Sequence, residues 1–551
     1  MGRITRRQAI GAIAGVAGAA ALATGFLRSH RPRPGAPAAR IDPPLPPDPA
    51  FPNPLRLPGT EGMLGVAEAE GSFTLAAKPV EHAILAGKPA RMLAYEMDQS
   101  GRRIFNPVLK VRTGTALRIK LWNALEETSI IHWHGLKVDS NNDGHPHYAV
   151  PGGATYDYHF TVANRAATYW YHPHPHHLTG KQVYLGLAGL FIVEDDEELA
   201  LQKALDLRFG ETDIPLMLQD RRLDDNGQLV FKPTADEQLH GHLGAEVLVN
   251  LTPRPHLDVA SRLHRFRILN GSNARLYRLA FRHGDRLLDY TVIGTDGGLI
   301  DRPRTVREAF LAPSERVDVL LDLRAAARGD AITLVSLPFD AMHMETAGTA
   351  AGAGHSAHGA HDAHAGHAQE DANAPKPDGT ELELLRIRVE RKIAYDRSVP
   401  EVLSRIDPPA ESPYGPRLIV LDQARGKWRI NGATYDMKAT PITVKRDTVE
   451  AWDIRNVPPT MPHPMHIHGF QFRVVSRTGS PGQQQRLSIE PGGLAATDLG
   501  WKDSLLVWPG ETVRIVTDFS HPFLGDQIYM IHCHNLEHED GGMMLNLKVA
   551  G

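Results

Sequence analysis

The chain has 551 residues, a formal net charge of −4, 42% hydrophobic residues and one cysteine. That length allows several domains, each able to bury its own core. The small charge and the absence of a basic stripe with interleaved aromatics exclude nucleic acid as a partner, and one cysteine excludes an internal disulfide. Abundant Gly (50) and Pro (41) suit a loop-rich all-β chain. Histidine, at 29, is the outlier.

The N-terminus reads Thr5-Arg6-Arg7-Gln8-Ala9-Ile10, ahead of a mildly apolar Ala/Gly-rich run to Leu27. This is the pattern of a twin-arginine leader, with an uncleaved anchor as the alternative. Ala21-Leu22-Ala23 and Ala36-Pro37-Ala38 both suit cleavage. No later segment is long and apolar enough to span a bilayer. The mature chain is therefore expected in the periplasm or elsewhere outside the cytoplasm, after a leader and linker over residues 1–40. Residues 28–60, rich in Pro, Arg and Ala, read as an extended linker that packs little.

From there short alternating strands and Gly, Pro and Asn turns set the rhythm. In the first unit, 60–200, Leu117, Ile119 and Leu121 alternate with Arg118 and Lys120, and further strands carry Ile130–Gly135 and Thr168–His174. Leu190–Val193 closes it, before an acidic turn over Glu194–Glu198. A second unit, 205–342, repeats the rhythm at Glu246–Val249, Arg265–Leu269 and Val317–Leu320; its His240-Gly241-His242 sits in a Gly-rich loop setting and reads as structural or exposed. Residues 343–380 change character: after Met342-His343-Met344 comes an Ala/Gly tract with His355, His358, His361, His364 and His367 at every third position. Such composition cannot build a core. It reads as a copper-handling insert, or else as a tolerated linker.

The last unit, 381–551, holds the chemistry. If Tyr529–His534 is a strand, Cys533 faces one way while His532 and His534 face the other. His463, on a Pro-flanked turn three residues before His466, can join Cys533 and His538 in a His₂Cys set, with Met543 as a long axial ligand. Four His-x-His pairs stand out: His132/His134, His172/His174, His466/His468 and His532/His534. On strands each pair lies on one face, and eight imidazoles exceed the needs of one metal ion. Two pairs come from the first unit and two from the last, so their cluster should straddle that interface.

These motifs, His-x-His-Gly, His-x-His, His-Pro-x-His-x-His and His-Cys-His-xxx-His-xxxx-Met, resemble the multicopper oxidases across essentially the whole mature chain. The resemblance implies an all-β protein of three cupredoxin-like Greek-key β-sandwich domains, holding four copper ions. Carried over by position, type 1 copper falls to His463, Cys533, His538 and Met543, and type 2 to His132 and His466. The type 3 pair falls to His134, His172, His174, His468, His532 and His534. Asp143 and Glu539 match acids that relay protons in the family; the plainer alternative is an ordinary turn carboxylate. Where many relatives have His-Gly, this chain has His176-His177, which leaves that loop's geometry open.

Among relatives, the closest resemblance is to exported copper-efflux oxidases. It implies reduction of O2 to water with electrons from Cu(I) or small phenolic and aromatic donors, in copper tolerance, by a monomer. Met461 falls where those enzymes place a substrate-copper ligand, and Met342, Met344 and the five insert histidines are further candidates. Pro459 replaces an acidic partner there, and the insert is His-rich rather than Met-rich. A laccase-type oxidase of phenols and aromatic amines is therefore the alternative. A copper carrier would lack the eight-histidine cluster, and a scaffold would have lost ligands.

Overall fold

The computed structural model describes residues 43–343, 374–409 and 411–551. The leader, Met344 and the histidines at 355–367 lie outside the described residues. The rest is all-β, three cupredoxin-like sandwiches of two sheets each, as a chain of short alternating strands requires. In Ala116–Asn123 the expected alternation is literal: Leu117, Ile119 and Leu121 are buried and Arg118 and Lys120 exposed. Three apolar clusters fill the sandwiches, around Trp133, around Phe266 and around Trp452.

The strands that carry histidine pairs are neighbours in pairs. β1 (Ile131–His134) and β2 (Ala167–Pro173) run antiparallel with His132 opposite His172. β3 (His463–Ile467) and β4 (Gln527–Cys533) run antiparallel with His466 opposite His532 and Met465 opposite Cys533. Because side chains alternate, Trp133 and Tyr171 fill the first core behind their histidines, and Tyr529, Ile531 and Cys533 fill the third. His463 opens β3 rather than standing on a turn, and its odd offset from His466 puts it on the cysteine face.

Four short helices matter. α1 (Thr179–Tyr184) follows β2, α2 (Asp196–Ala204) closes the first sandwich, α3 (Ala235–His240) belongs to the second, and α4 (Leu536–Asp540) follows β4. Expected as an acidic turn, 194–198 instead starts α2, because the Asp195 side chain caps it by accepting from the Glu198 amide. Two other expectations are corrected. Phe51 and Leu55 are buried, Asn53–Pro54 pairs with Pro255–Ala260, and the Arg386 guanidinium covers the Phe51 ring, so the linker is packed at its end. Leu382–Arg391, read as opening the third unit, lies between Pro255–Ala260 and Ala331–Ser336 in a sheet of the second sandwich. Its buried Leu384, Leu385, Ile387 and Val389 belong to that core.

Glu198 of α2 reaches a fully buried ionic group in the second sandwich. Its Oε1 accepts from Arg265 Nη1 at 2.5 Å and Arg267 Nη2 at 2.6 Å, and Arg267 also pairs with Asp213. Burial alone would raise the Glu198 carboxyl, but the two guanidiniums outweigh it and hold it far below the usual carboxylate range. Glu198→Ala leaves two buried cations short of a partner, so it should cost about 3–5 kcal/mol. Chemical denaturation checks this, and a loss below about 1 kcal/mol would contradict it.

Candidate metal centre

All eight paired histidines are fully buried and converge where the first and third sandwiches meet. His132 Nε2 lies 3.3 Å from His466 Nε2, His468 Nε2 lies 3.0 Å from His532 Nε2, and His174 Nε2 lies 3.5 Å from His532 Nε2. His134 Nδ1 stands 3.4 Å from His172 Nε2. Three sets of three histidines, His132/His466/His468, His132/His134/His172 and His174/His468/His532, bring one nitrogen each within 4.8 Å of the others.

The outward nitrogens explain why the inward ones are free to act as ligands. His132 Nδ1 and His466 Nδ1 donate to the carbonyls of Asp143 and Asp503 at 2.6 and 2.7 Å, and His172 Nδ1 donates to the Pro173 carbonyl at 3.0 Å. His468 Nδ1 donates to Asp143 Oδ2 at 2.6 Å. A carbonyl only accepts, so Nδ1 of His132, His466 and His172 carries the proton and the inward Nε2 of each keeps its lone pair. Burial and neighbouring histidines push His132, His134, His466, His468 and His534 well below the usual imidazole range, so they stay neutral. Neutral, buried and aimed at one another without protons to share, these rings fit metal ions and little else.

His134 is turned the other way. Its Nε2 faces Asp503 Oδ1 at 3.1 Å, which leaves Nδ1 inward. Asp503 in turn is held by Arg316, whose Nη1 and Nη2 donate to its two oxygens at 2.7 and 2.6 Å. Arg316 comes from the second sandwich, and its Nε donates to Thr168 O at the start of β2. One buried guanidinium thus joins all three sandwiches at the edge of the cluster.

Asp143 and Glu539 both reach the cluster. Burial, with Asp139 nearby, pushes the Asp143 carboxyl well above the usual range, and its Oδ1 has no hydrogen-bond partner among the described residues. Glu539 lies 3.1 Å from His532 Nδ1 and 3.4 Å from His174 Nε2. Burial would raise it, but His174 and His532 hold it at about 2.

On the other face of β4, Cys533 Sγ lies 3.5 Å from both His463 Nδ1 and His538 Nδ1. His538 Nε2 donates to the Leu239 carbonyl at 2.9 Å, and Met543 is fully buried in the same core cluster. Burial pushes the Cys533 thiol far up, so a thiolate there needs a cation beside it. Thiol, two imidazoles and a thioether form a set that suits copper.

The substrate-copper candidates fare differently. Met461 is buried in the third core cluster, while Met342 packs against Phe310, Leu506 and Trp508 in a separate one. His240, read in the sequence as structural or exposed, and His343 stack with centroids 6.1 Å apart and lie close enough to act electrostatically on His538. His242 is buried and hydrogen-bonded to Glu237. His177 takes φ of +69°, the region glycine prefers, which accommodates the missing glycine; its Nδ1 donates to Asp540 O at 2.7 Å. Asp503 carries a weak sequence signal, an acid inside Trp501-Lys502-Asp503-Ser504, and the Leu239 carbonyl carries none, being backbone.

Comparison with known proteins follows the same lines. Family models described as multicopper oxidase match residues 410–551 and 88–198. The chain is 31% identical over 483 residues to a multicopper oxidase of Staphylococcus aureus, covering 87% of this chain and 88% of that one. It is 31% identical to a laccase of Bacillus subtilis, covering 77% and 80%. The crystal structure of the McoA multicopper oxidase from Aquifex aeolicus is similar at 40% identity and a TM-score of 0.78, covering 91% of this chain and 99% of that one.

Metal loading should stabilise the fold, by about 2.7 kcal/mol when free copper stands a hundredfold above its Kd. Thermal melts before and after dialysis against a chelator read this directly. Identical midpoints would count against the converging nitrogens as a metal site.

Proposed function

This chain belongs to the multicopper oxidase family, and on that footing we propose that it couples one-electron oxidation of small donors to the reduction of O2 to water. The donors are phenolic compounds and Cu(I), the setting is copper tolerance outside the cytoplasm, and export follows the twin-arginine leader. The observation that carries the reading is the alternation at His532-Cys533-His534, which makes one strand a wall of both buried ligand groups.

When bound, four copper ions would supply one-electron redox chemistry at the cysteine group and O2 reduction at the eight-histidine group. His463, Cys533, His538 and Met543 would hold the type 1 ion, His132 and His466 the type 2 ion, and His134, His172, His174, His468, His532 and His534 the type 3 pair. Cys533 hands electrons through its own backbone to His532 and His534. Oxygen reduction also consumes protons, one for each electron. Asp143, held by His468 Nδ1 and with Oδ1 free, supplies them from one side. Glu539, between His174 and His532, supplies them from the other.

The laccase-type alternative, with organic donors alone, has an observation in its favour: Met342 packs against an apolar cluster other than the one that holds Cys533 and Met543. The His-rich segment over 345–375 then decides between the two readings. Deleting it should lower Cu(I) oxidation more than phenol oxidation; an unchanged ratio rejects a metal-handling role for it.

Purified protein should be blue, hold about four coppers and consume O2 with a phenol. Cys533→Ser should lose both the colour and the oxidation, and a variant that stayed blue would remove Cys533 from the type 1 site. Asp143→Asn keeps an acceptor for His468 but cannot carry a proton. It should slow O2 reduction by about 10²–10⁴-fold while donors still reduce the type 1 copper. A wild-type rate would show that Asp143 is structural.

A further inference from the structure

A cavity of about 610 Å³ opens over the cysteine group, lined by residues of all three sandwiches, and His538 is part of its wall. Trp428 forms its floor. The indole is buried, with its ring 4.8 Å from His463 and 5.3 Å from His538, and the His538 planes are tilted by 38°. Trp428 Nε1 donates to the Leu239 carbonyl at 2.6 Å, the same oxygen that accepts from His538 Nε2. Floor and ligand are thereby locked to one atom. Phe231, Pro233 and Leu239 add apolar wall, which suits a flat ring.

The charged wall residues are not balanced in what they present. Glu537 has both oxygens taken, by Asn273 Nδ2 at 2.8 Å and the His242 amide at 3.1 Å. Asp540 has both oxygens taken by the amides of Thr179 and Gly180 at 3.0 and 2.9 Å. The acids are turned inward and saturated. Lys181, on α1, and Lys427, beside Trp428, line the same cavity with more freedom: Lys181 shares its charge with the partly exposed Glu127, and Lys427 is exposed to solvent.

We propose that this cavity selects planar aromatic donors bearing a carboxylate or sulfonate, seated over Trp428 against Phe231, Pro233 and Leu239, with the anion toward Lys181 and Lys427. The proposal rests on the oxidase reading above and names the donor class that reading leaves broad. Each encounter removes one electron from the ring system, through His538, and a phenolic donor releases its O–H proton to water. Four such donors supply the electrons for one O2. Coulomb attraction at the mouth raises the local concentration of anionic donors and weakens with salt.

The test compares syringate with its methyl ester, which share a ring and differ in charge, on the copper-loaded full chain. Syringate should have the lower KM, and that KM should rise with ionic strength while the ester's does not. In Lys181→Gln/Lys427→Gln the KM of syringate should rise about three- to tenfold relative to that of the ester, and Lys181→Arg/Lys427→Arg should restore the ratio. A binding readout needs no turnover: a naphthalenesulfonate that quenches tryptophan fluorescence should bind about three- to tenfold more weakly to the glutamine variant. An unchanged KM ratio and unchanged sulfonate affinity, with oxygen uptake intact, overturn the anion clamp alone. Absence of oxygen uptake with either ester or acid overturns the oxidase reading on which it rests.

Discussion

Neither sandwich that supplies histidines can assemble the eight-histidine group by itself. β1 and β2 bring four rings, β3 and β4 with their extensions bring four more, and the ligand geometry exists only where the two meet. The relative placement of two domains is therefore the quantity on which the site depends. Domain interfaces are ordinarily polar and mobile. This one is fixed by buried charge. Arg316 spans Thr168, Asp503 and, through Asp503, His134, so one second-sandwich side chain ties the first sandwich to the third.

α4 performs the same task on the other side. Its five residues include His538 for the cysteine group and Glu539 beside His174 and His532. Glu537 holds the second sandwich through Asn273 and His242, while Asp540 holds the first through Thr179 and Gly180. A buried carboxylate that loses its partner costs several kcal/mol, so any slip of one sandwich against another is penalised at the ligands themselves. Burial also sets the state of the ligands. Neutral imidazoles tolerate a water-free interior, whereas their protonated forms do not, and the outward carbonyls and carboxyl groups decide which nitrogen is offered. Among the described residues the second sandwich supplies no side chain to either group of candidate ligands, yet its Leu239 carbonyl sets the tautomer of His538.

Much of this was legible from residue order, and the reason is local. Period-two alternation turns His-Cys-His into two sites on opposite faces whatever the surrounding fold, and the four His-x-His pairs obey the same geometry. Asp143 and Glu539 were reachable through motif position and do lie against cluster histidines. Other features were misread for equally physical reasons. Glu194–Glu198 looks like a solvated acidic turn because its dominant partners, Arg265 and Arg267, are remote in sequence. Leu382–Arg391 follows a low-complexity tract and so looks like the start of a new unit, but its sheet partners lie before that tract. Phe51 sits in a proline-rich stretch, and its burial depends on Arg386. His177 replaces a glycine by adopting the left-handed conformation itself, held by Asp540.

Sequence by itself determined the strand rhythm, the ligand types and the face each ligand occupies, since alternation and side-chain chemistry are properties of neighbouring residues. Tertiary structure alone decided three things: which nitrogen each imidazole offers, how the sandwiches are pinned together, and what covers the cysteine group. Backbone carbonyls settle the first for His132, His172 and His466, and carboxyl groups remote in sequence settle it for His134 and His468. Buried pairs such as Arg316 with Asp503 settle the second, across 187 residues of chain. Trp428, Lys181 and Lys427 meet at His538 only because α1, α3 and the third sandwich close around one cavity. Their chemistry as isolated residues is ordinary, and its meaning comes from where the fold gathers them.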